Sequence, residues 1–212
     1  LTGPILVQSG AFIKRGTGTL TLAGTGPNML GQMSSASITS IASYPANGDS
    51  PANGFGAFHI AEGKCILGVP GQNNRVASEV VIGGYTTSQP GQEKTAELII
   101  ADGYTRVDSY IDIGHHNGNT LTAPIPLHPR LTLLGGTLSA INFIIGFGYE
   151  TNQNTQPILD IYGGTFQVDN QIRFGDQRGS PTSPMHVTMN LYGGAFVHTS
   201  TSEGLQFGFR NP

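Results

Sequence analysis

The sequence predicts an all-β chain wound as a parallel β-helix, and three observations support that fold class. The first is an internal repeat of roughly 30 residues, a length typical of solenoids and propellers. The second is the alternation of apolar and polar residues within each repeat, which indicates short half-buried strands. The third is composition, because 31 of the 212 residues are glycine and only 11% are charged.

The repeat is clearest in residues 159–175, which read as strand, double-glycine corner, strand, short bend, strand and closing glycine. Similar copies precede and follow it, and the copies become looser towards the start of the chain. In the loosest copy, residues 58–60 are taken as the strand before the corner. The corner glycines are Gly63, Gly103, Gly136, Gly164 and Gly194, and the closing glycines are Gly83, Gly114, Gly146, Gly175 and Gly208.

Each repeat supplies three short strands with one apolar face, and each strand is expected to pair only with its copy in the next turn. Equivalent side chains then stack about 4.8 Å apart along the axis. The double glycine suits a tight corner with positive φ. The predicted inward columns are Leu98/Leu131/Leu159/Met189, Leu138/Phe166/Phe196 and Ile113/Ile145/Phe174/Phe207.

Polar loops follow the closing glycines, and we expect them to emerge on one face of the solenoid, which in such folds is often the binding face. The long segment 25–56 carries turn signals and is predicted to be an irregular flap or a surface loop. The predicted loops are residues 85–96, 115–129, 147–157 and 176–187.

A β-propeller is the main alternative to the β-helix. Its blades need about 40–45 residues and four strands joined by hairpins. The repeat here is nearer to 30 residues, and the double-glycine break is short. We therefore favour a β-helix of about six to seven coils, with residues 1–212 as one domain and a fragment of a longer repeat protein.

A family resemblance is carried by residues 14–24, Lys-Arg-Gly-Thr-Gly-Thr-Leu-Thr-Leu-Ala-Gly. This run resembles the autotransporter-associated β-strand repeat of bacterial surface proteins, with Ala23 where that family usually has Ser. Residues 58–68 are similar, with Lys64-Cys65 in place of Thr-Leu. The resemblance implies a right-handed parallel β-helix in an exported passenger or stalk, and the family has no catalytic residues to carry over.

Charge and apolar content exclude two classes of partner. The net charge of −3 provides no basic field for nucleic acid or anionic lipid. No apolar run approaches the roughly 18 residues that span a bilayer, so we expect no membrane insertion by this segment. The single cysteine, Cys65, permits no internal disulfide and is interpreted as a small buried apolar residue.

Acidic residues do not form the pair that glycoside hydrolysis needs. Asp160 is predicted on the outer face of its strand, stacked with Thr132 and Asn190. Asp112 falls in another outward column, which contains Ile144, Arg173 and Gln206. Because no column holds two carboxylates, we expect no enzyme activity and no cofactor.

Histidines provide the only metal candidates. His115 and His116 are adjacent in a predicted turn, and a tight site needs a third ligand, for which only His128 is near. We favour a solvated polar loop and no metal site. His198 takes the place of Val168 in an inward column and is interpreted as a partly buried, hydrogen-bonded histidine.

Two tyrosines are the binding candidates. Tyr162 and Tyr192 occupy equivalent outward positions beside the double-glycine corner, in a column with Leu134 and Ala101. Such a strip could stack against sugar rings or bury against another subunit. It could also pack over the bare corner and stabilise neighbouring turns, and we favour this interpretation.

These observations favour a non-catalytic structural or adhesive protein at the bacterial cell surface. A stalk, a filament subunit and an adhesin passenger all fit, and the partners would be a second copy or neighbouring repeats, since an open β-helix end invites another strand. The alternative is a carbohydrate-binding or polysaccharide-cleaving β-helix, as in tailspikes and lyases, with surface glycans as partners.

Overall fold

The computed structural model describes residues 5, 12–24, 29–30, 57–77, 79–83, 94–116, 127–148, 156–178, 186–208 and 210–211. These ranges contain β-strands and no helix. The strands are β1 (Phe12–Lys14), β2 (Thr19–Leu22), β3 (Met29–Leu30), β4 (Ala57–Ile60), β5 (Gly63–Leu67), β6 (Asn73–Val76), β7 (Glu79–Ile82), β8 (Lys94–Ile100), β9 (Tyr104–His116), β10 (Leu127–Leu133), β11 (Thr137–Gly148), β12 (Ile158–Ile161), β13 (Thr165–Val168), β14 (Ile172–Arg178), β15 (Thr188–Leu191), β16 (Ala195–His198), β17 (Leu205–Phe207) and β18 (Arg210–Asn211).

The strands stack as a parallel β-solenoid, as predicted. A six-stranded sheet holds the first strand of each turn, in the order β15-β12-β10-β8-β5-β2. A twelve-stranded sheet bends around the other two sides and holds the second and third strands of each turn. From β8 through β10 and β12 to β15, the chain makes about three turns, each strand pairing in parallel with its copy. No hairpin-joined blade is present in the described part of the chain, so the propeller alternative is wrong.

The predicted columns of side chains are confirmed by the register. Leu98, Leu131, Leu159 and Met189 pair in order along the six-stranded sheet. Leu138, Phe166 and Phe196 pair on the second side, and Ile113, Ile145, Phe174 and Phe207 pair on the third. Because side chains in a strand alternate between faces, this register places every second residue in one continuous apolar interior.

Aromatic rings fill the interior of the later turns. Phe143 lies between the bent sides of the large sheet and contacts Phe166 edge-on, with ring centroids 5.0 Å apart. Phe166 in turn contacts Phe196 of the next turn at 5.3 Å. Edge-to-face contacts of this kind add to the free energy of area burial, so the column stabilises the stacking of adjacent turns.

Second and third strands are more continuous than predicted. In two turns the second and third strands merge into one, which gives β9 with 13 residues and β11 with 12. A β-bulge interrupts their pairing, because Ala140 pairs with Val107 and Asn142 pairs with Tyr110. In the other turns the two strands are separate, as predicted: β6 and β7, β13 and β14, and β16 and β17. Strands also extend into the predicted loops, since 94–96, 115–116, 127–129, 147–148 and 176–178 are all strand. The remaining positions of those loops lie largely outside the described residues.

Corner and closing glycines both adopt positive φ. The corner values run from 69° to 76° and the closing values from 59° to 78°. At the corner the turns also approach closely, because a Cβ on Gly164 would run into the Gly136 carbonyl of the preceding turn. An L-residue fits neither the backbone angle nor the space, so glycine is required there.

The first copy of the predicted repeat was assigned wrongly. Residues 58–60 belong to β4, which pairs with β1 and β7 on the third side of the solenoid. Gly63 instead begins β5, which pairs with β8 so that Cys65 lies opposite Leu98. The corner of this turn therefore follows β5, at residues 68–72. Both strands alternate in the same way, so only their pairing partners distinguish them.

The segments that carry the family resemblance are adjacent turns of the solenoid. Phe12 pairs with Phe58, and Thr19 and Leu20 pair with Lys64 and Cys65. Between them, the ammonium of buried Lys14 donates hydrogen bonds to the carbonyls of Arg15, Gly16 and Glu62 at 3.0, 2.5 and 3.0 Å. Lys14 thereby satisfies three carbonyls where the chain turns from the third strand into the first.

Within the predicted flap 25–56, only β3 falls in the described residues. It pairs in parallel with β6 on the second side of the solenoid. The rest of that prediction lies outside the described part of the chain.

Candidate functional site

The predicted tyrosine strip lies at the corner between the first and second strands. Each tyrosine extends its first strand by one residue, since Tyr162 N–H donates to the Leu133 carbonyl at 2.9 Å and Tyr192 N–H donates to the Ile161 carbonyl at 2.8 Å. The double glycine follows directly and turns the chain. This arrangement directs both side chains away from the core, and the predicted equivalence of the two positions is confirmed.

The two rings form a stacked ladder. Their centroids are 4.7 Å apart and their planes differ by 13°. Tyr162 is 50% exposed, Tyr192 is 64% exposed and Leu134, one turn earlier in the same column, is 49% exposed. These residues form a continuous apolar strip on the surface, which we call the corner strip.

Stacking reduces the aromatic surface of the corner strip that a sugar ring could contact. Sugar rings bind to aromatic faces, whereas here one face of each tyrosine is covered by the other tyrosine. The edges of the rings and the far face of Tyr192 remain for binding. The geometry therefore favours the interpretation that the tyrosines stabilise adjacent turns.

A charged cluster on the outer face of the large sheet was missed by the sequence analysis. Arg106 donates to Ser139 Oγ at 2.6 Å and to Asp169 Oδ2 at 2.5 Å, and its Nε lies 3.5 Å from Asp108 Oδ1. Arg75 binds the other oxygen of Asp108 at 2.6 Å. Two carboxylates thus converge on one guanidinium across three turns, which we call the Arg106 cluster.

The Arg106 cluster shifts the ionisation of its members towards the charged forms. Partial burial alone would raise the pKa of Asp169, but hydrogen bonds from Gln167, Arg106 and Thr199 and the charge of Arg106 outweigh burial, so the pKa is lowered. Burial likewise opposes protonation of Arg106, and the contact with Asp169 raises its pKa. Both groups are therefore charged at neutral pH, and neither is suited to donate or accept a proton there.

Part of the Arg106 cluster could have been predicted from the strand register. Arg75 and Arg106 pair across adjacent strands, and Ser139 follows in the same column. Asp108 lies in the β-bulge of β9, whereas Asp169 lies in the bend after β13. A strict period-2 reading cannot place residues in a bulge or bend, so the two carboxylates were not assigned to one site.

Asp160 lies in the predicted column of its strand, and other side chains cover it. It is only 1% exposed, and it accepts hydrogen bonds from Arg130 Nη1 and from Asn190 Nδ2. Its predicted neighbours Thr132 and Asn190 are confirmed by the register. The guanidinium of Arg130 covers the carboxylate and supplies the opposite charge that burial requires.

The predicted Asp112 column is also confirmed by the register, and two of its members are buried. Asp112 pairs with Ile144, Ile144 with Arg173 and Arg173 with Gln206. Asp112 and Ile144 are each 2% exposed, whereas Arg173 and Gln206 are partly buried. The period-2 pattern gives the face of the strand and says nothing about what covers that face.

The histidine candidates His115 and His116 are described only in their backbone. His115 and His116 end β9, where they pair with Phe147 and Gly148, and their side chains lie outside the described residues. His128 is on β10 and partly buried. Within the described ranges, no three His, Cys, Asp or Glu side chains are grouped to hold a metal ion.

His198 and Cys65 occupy the positions expected for them. His198 pairs with Val168, is partly buried and has Nε2 2.5 Å from the Asn170 carbonyl. Cys65 is fully buried, and burial raises the pKa of its thiol to about 12. A thiol that remains protonated and covered is a core residue and is not a nucleophile.

Comparisons with known proteins add no assignment. No family model, no curated protein and no solved structure matches this chain. Across the described segments, no helix has the length and apolar character needed to cross a membrane.

Proposed function

We propose that this chain is a non-catalytic structural or adhesive segment of a bacterial surface protein, located outside the cell and built as a right-handed parallel β-helix of about six to seven coils. The observation that carries the proposal is the unbroken register of the columns from turn to turn. A stack of this kind resists bending because each turn is hydrogen-bonded along its length to the next. Right-handed winding is the hand that parallel crossover connections adopt.

The resemblance of residues 14–24 to the autotransporter-associated repeat supports the same role. The solenoid uses the resembling segments as neighbouring turns, with Lys14 at their shared corner. The resemblance implies an exported passenger or stalk. We therefore propose export, surface exposure and association with neighbouring repeats or a second copy.

Surface display tests the proposal. The chain is placed between a secretion signal and an outer-membrane anchor in a bacterium, and display is measured with an antibody tag and external protease. We expect a folded, protease-resistant segment on the surface, and a matched Phe166→Asp variant should be degraded because it places a charge in the core. A wild-type chain that is retained or degraded like the variant would refute the role.

Carbohydrate binding or cleavage is the second candidate, and the observation that favours it is the corner strip with its two exposed tyrosines. A glycan array and a reducing-end assay on polysaccharides test it. Binding should fall in Tyr162→Ala and Tyr192→Ala and should persist in Tyr104→Ala, whose ring is 41% exposed but outside the ladder. Absence of binding and cleavage, or binding unchanged in both ladder variants, would remove this candidate.

A further inference from the structure

The corner strip places two phenol side chains next to each other on adjacent turns. Ile161 pairs with Leu191, and the tyrosines that follow them, Tyr162 and Tyr192, are thereby held at equivalent positions. Their rings are nearly parallel, with centroids 4.7 Å apart. The strand register and the stacking together bring the ring carbons ortho to the two hydroxyl groups close to each other, at about the spacing of neighbouring strands.

Both phenols are accessible from solvent while their backbones are fixed. Tyr162 is 50% exposed and Tyr192 is 64% exposed, so a dissolved oxidant reaches each ring and each ring has space to tilt towards the other. The N–H of Tyr162 donates to the Leu133 carbonyl at 2.9 Å, and the N–H of Tyr192 donates to the Ile161 carbonyl at 2.8 Å. These hydrogen bonds keep the two side chains together while the rings move.

Tyr104 provides an internal comparison. It is 41% exposed, which is close to the exposure of Tyr162. Its partners in the strand register are Asn73 and Thr137, and neither side chain carries an aromatic ring. Tyr104 therefore shares the access to solvent with the ladder tyrosines and differs from them in its paired neighbours.

We propose that the corner strip is an oxidative cross-linking site, at which Tyr162 and Tyr192 join as dityrosine. Each phenol loses one hydrogen atom, as an electron and a proton, and becomes a phenoxyl radical. The two radicals form one carbon–carbon bond between ortho carbons, and the hydrogens on those carbons move to the two phenolic oxygens. The oxidant is hydrogen peroxide, used by a haem peroxidase, and it takes up the two hydrogen atoms and becomes two molecules of water.

The product would join adjacent turns covalently at their corner. Because the two phenols are already held together in one chain, their coupling is intramolecular and needs no second chain. The cross-link closes a loop that stays closed when the protein unfolds, and it restricts the unfolded chain as a disulfide does. The inference goes beyond the proposed function and does not depend on it, since it requires only the stacked ladder and an oxidant.

Oxidation of the purified chain by hydrogen peroxide and a haem peroxidase is the first test. Trypsin cleaves at Arg173 and Arg178, between the two tyrosines, so the cross-link is observed as two peptides that remain joined and lack two hydrogen atoms. Fragmentation in the mass spectrometer must place the link at Tyr162 and Tyr192. We expect dityrosine fluorescence whose yield per chain does not change with chain concentration, and a higher urea midpoint after oxidation.

Phenylalanine variants separate the ladder from other tyrosines. Tyr162→Phe and Tyr192→Phe should each lower the dityrosine yield at least about tenfold, because each keeps the ring and removes the phenol that forms the radical. Tyr104→Phe is the matched control and should give the yield of the unchanged chain. The unchanged chain, unfolded in urea before oxidation, should also give a lower yield, and this comparison does not depend on a variant folding.

Absence of dityrosine would overturn the inference if it holds both with the peroxidase and with a small photochemical one-electron oxidant, which reaches surfaces that an enzyme does not. Cross-links that form mainly between chains, or that map to other tyrosines, would overturn it equally. A chain that is displayed on the cell surface and does not cross-link would remove this inference alone. A chain that cross-links at the ladder and is not displayed would remove only the proposed function.

Discussion

At the scale of single residues, the corner glycines are the positions that tolerate least change. Gly164 has a φ of 75°, and the carbonyl of Gly136 occupies the space where its Cβ would be. Thirteen glycines of the described chain share a positive φ, but only some of them also face the backbone of the preceding turn. The two constraints together distinguish the corners from ordinary turns.

Gly164→Ala should therefore destabilise the chain strongly. The left-handed backbone alone costs about 1–2 kcal/mol for an L-residue, and the clash with the Gly136 carbonyl adds to it. Gly204→Ala is the control, because Gly204 has no positive φ and nothing lies within 4 Å of its Cβ position. Urea midpoints followed by circular dichroism measure both, and equal midpoints would contradict the proposed role of the corner.

The Arg106 cluster changes the pKa values of two of its members, Arg106 and Asp169. Asp169 has a lowered pKa in the folded chain, below the ordinary value of 3.8. A carboxylate whose folded pKa is lowered contributes stability above its unfolded pKa and loses that stability as pH falls through the folded pKa. The cluster should thus stabilise the fold at neutral pH and cease to do so in acid.

The corresponding prediction concerns the pH dependence of unfolding. Asp169→Asn should lower the urea midpoint at neutral pH and leave it nearly unchanged well below pH 3.8, where the native carboxyl is also protonated. Arg106→Gln should flatten the acid part of the profile in the same way, because it removes the main cationic donor. An Asp169→Asn profile parallel to that of the unchanged chain would show that the contact contributes nothing.

At the scale of elements, the same strand pattern serves three different sides of the solenoid. The first-position strands bury Leu98, Leu131 and Leu159, while the third-position strands bury Ile111, Phe143 and Ile172. Polar contacts on the outer faces then connect neighbouring turns, as between Lys64 and Glu97 and between Arg130 and Asp160. These contacts link neighbouring turns, but exposed pairs such as Lys64–Glu97 contribute little free energy.

At the scale of the whole molecule, stability should decrease from the middle of the stack to the turn that contains β15, β16 and β17. Phe166 and Phe196 occupy the same column in adjacent turns, and Phe166 is fully buried whereas Phe196 is only partly buried. In a solenoid each turn is stabilised mainly by its two neighbours. The position of a residue along the axis should then decide the cost of truncating it.

Phe166→Ala should cost about 3–5 kcal/mol, because it leaves a cavity beneath Phe143. Phe196→Ala removes the same atoms from the last turn and should cost less than half as much. The two free energies of unfolding are compared by urea titration at a concentration where the chain is monomeric. Equal losses of free energy of unfolding in the two variants would mean that the last described turn is packed as tightly as the interior. That result would contradict the exposure of Leu191, Leu205 and Phe207 in this turn.

The sequence by itself determined the architecture and much of its register. Alternating residues and recurring glycines are local signals, and they correctly placed Leu159, Phe166 and Phe174 in three separate columns. They also placed Tyr162 and Tyr192 side by side, because both follow the same strand and precede the same double glycine.

Only the tertiary structure decided which strand pairs with which when two patterns are alike, and what covers an outward face. Gly63 was assigned to the wrong side because β4 and β5 alternate identically, and long-range hydrogen bonding alone separates them. Asp160 was placed on the outer face of its strand with no covering residue named, and Arg130 covers it. Arg106 contacts one carboxylate in a bulge and another in a bend. The strand pairings and the Arg130–Asp160 and Arg106–Asp169 contacts join residues 22 to 63 positions apart in the chain, and a local pattern contains no information about such contacts.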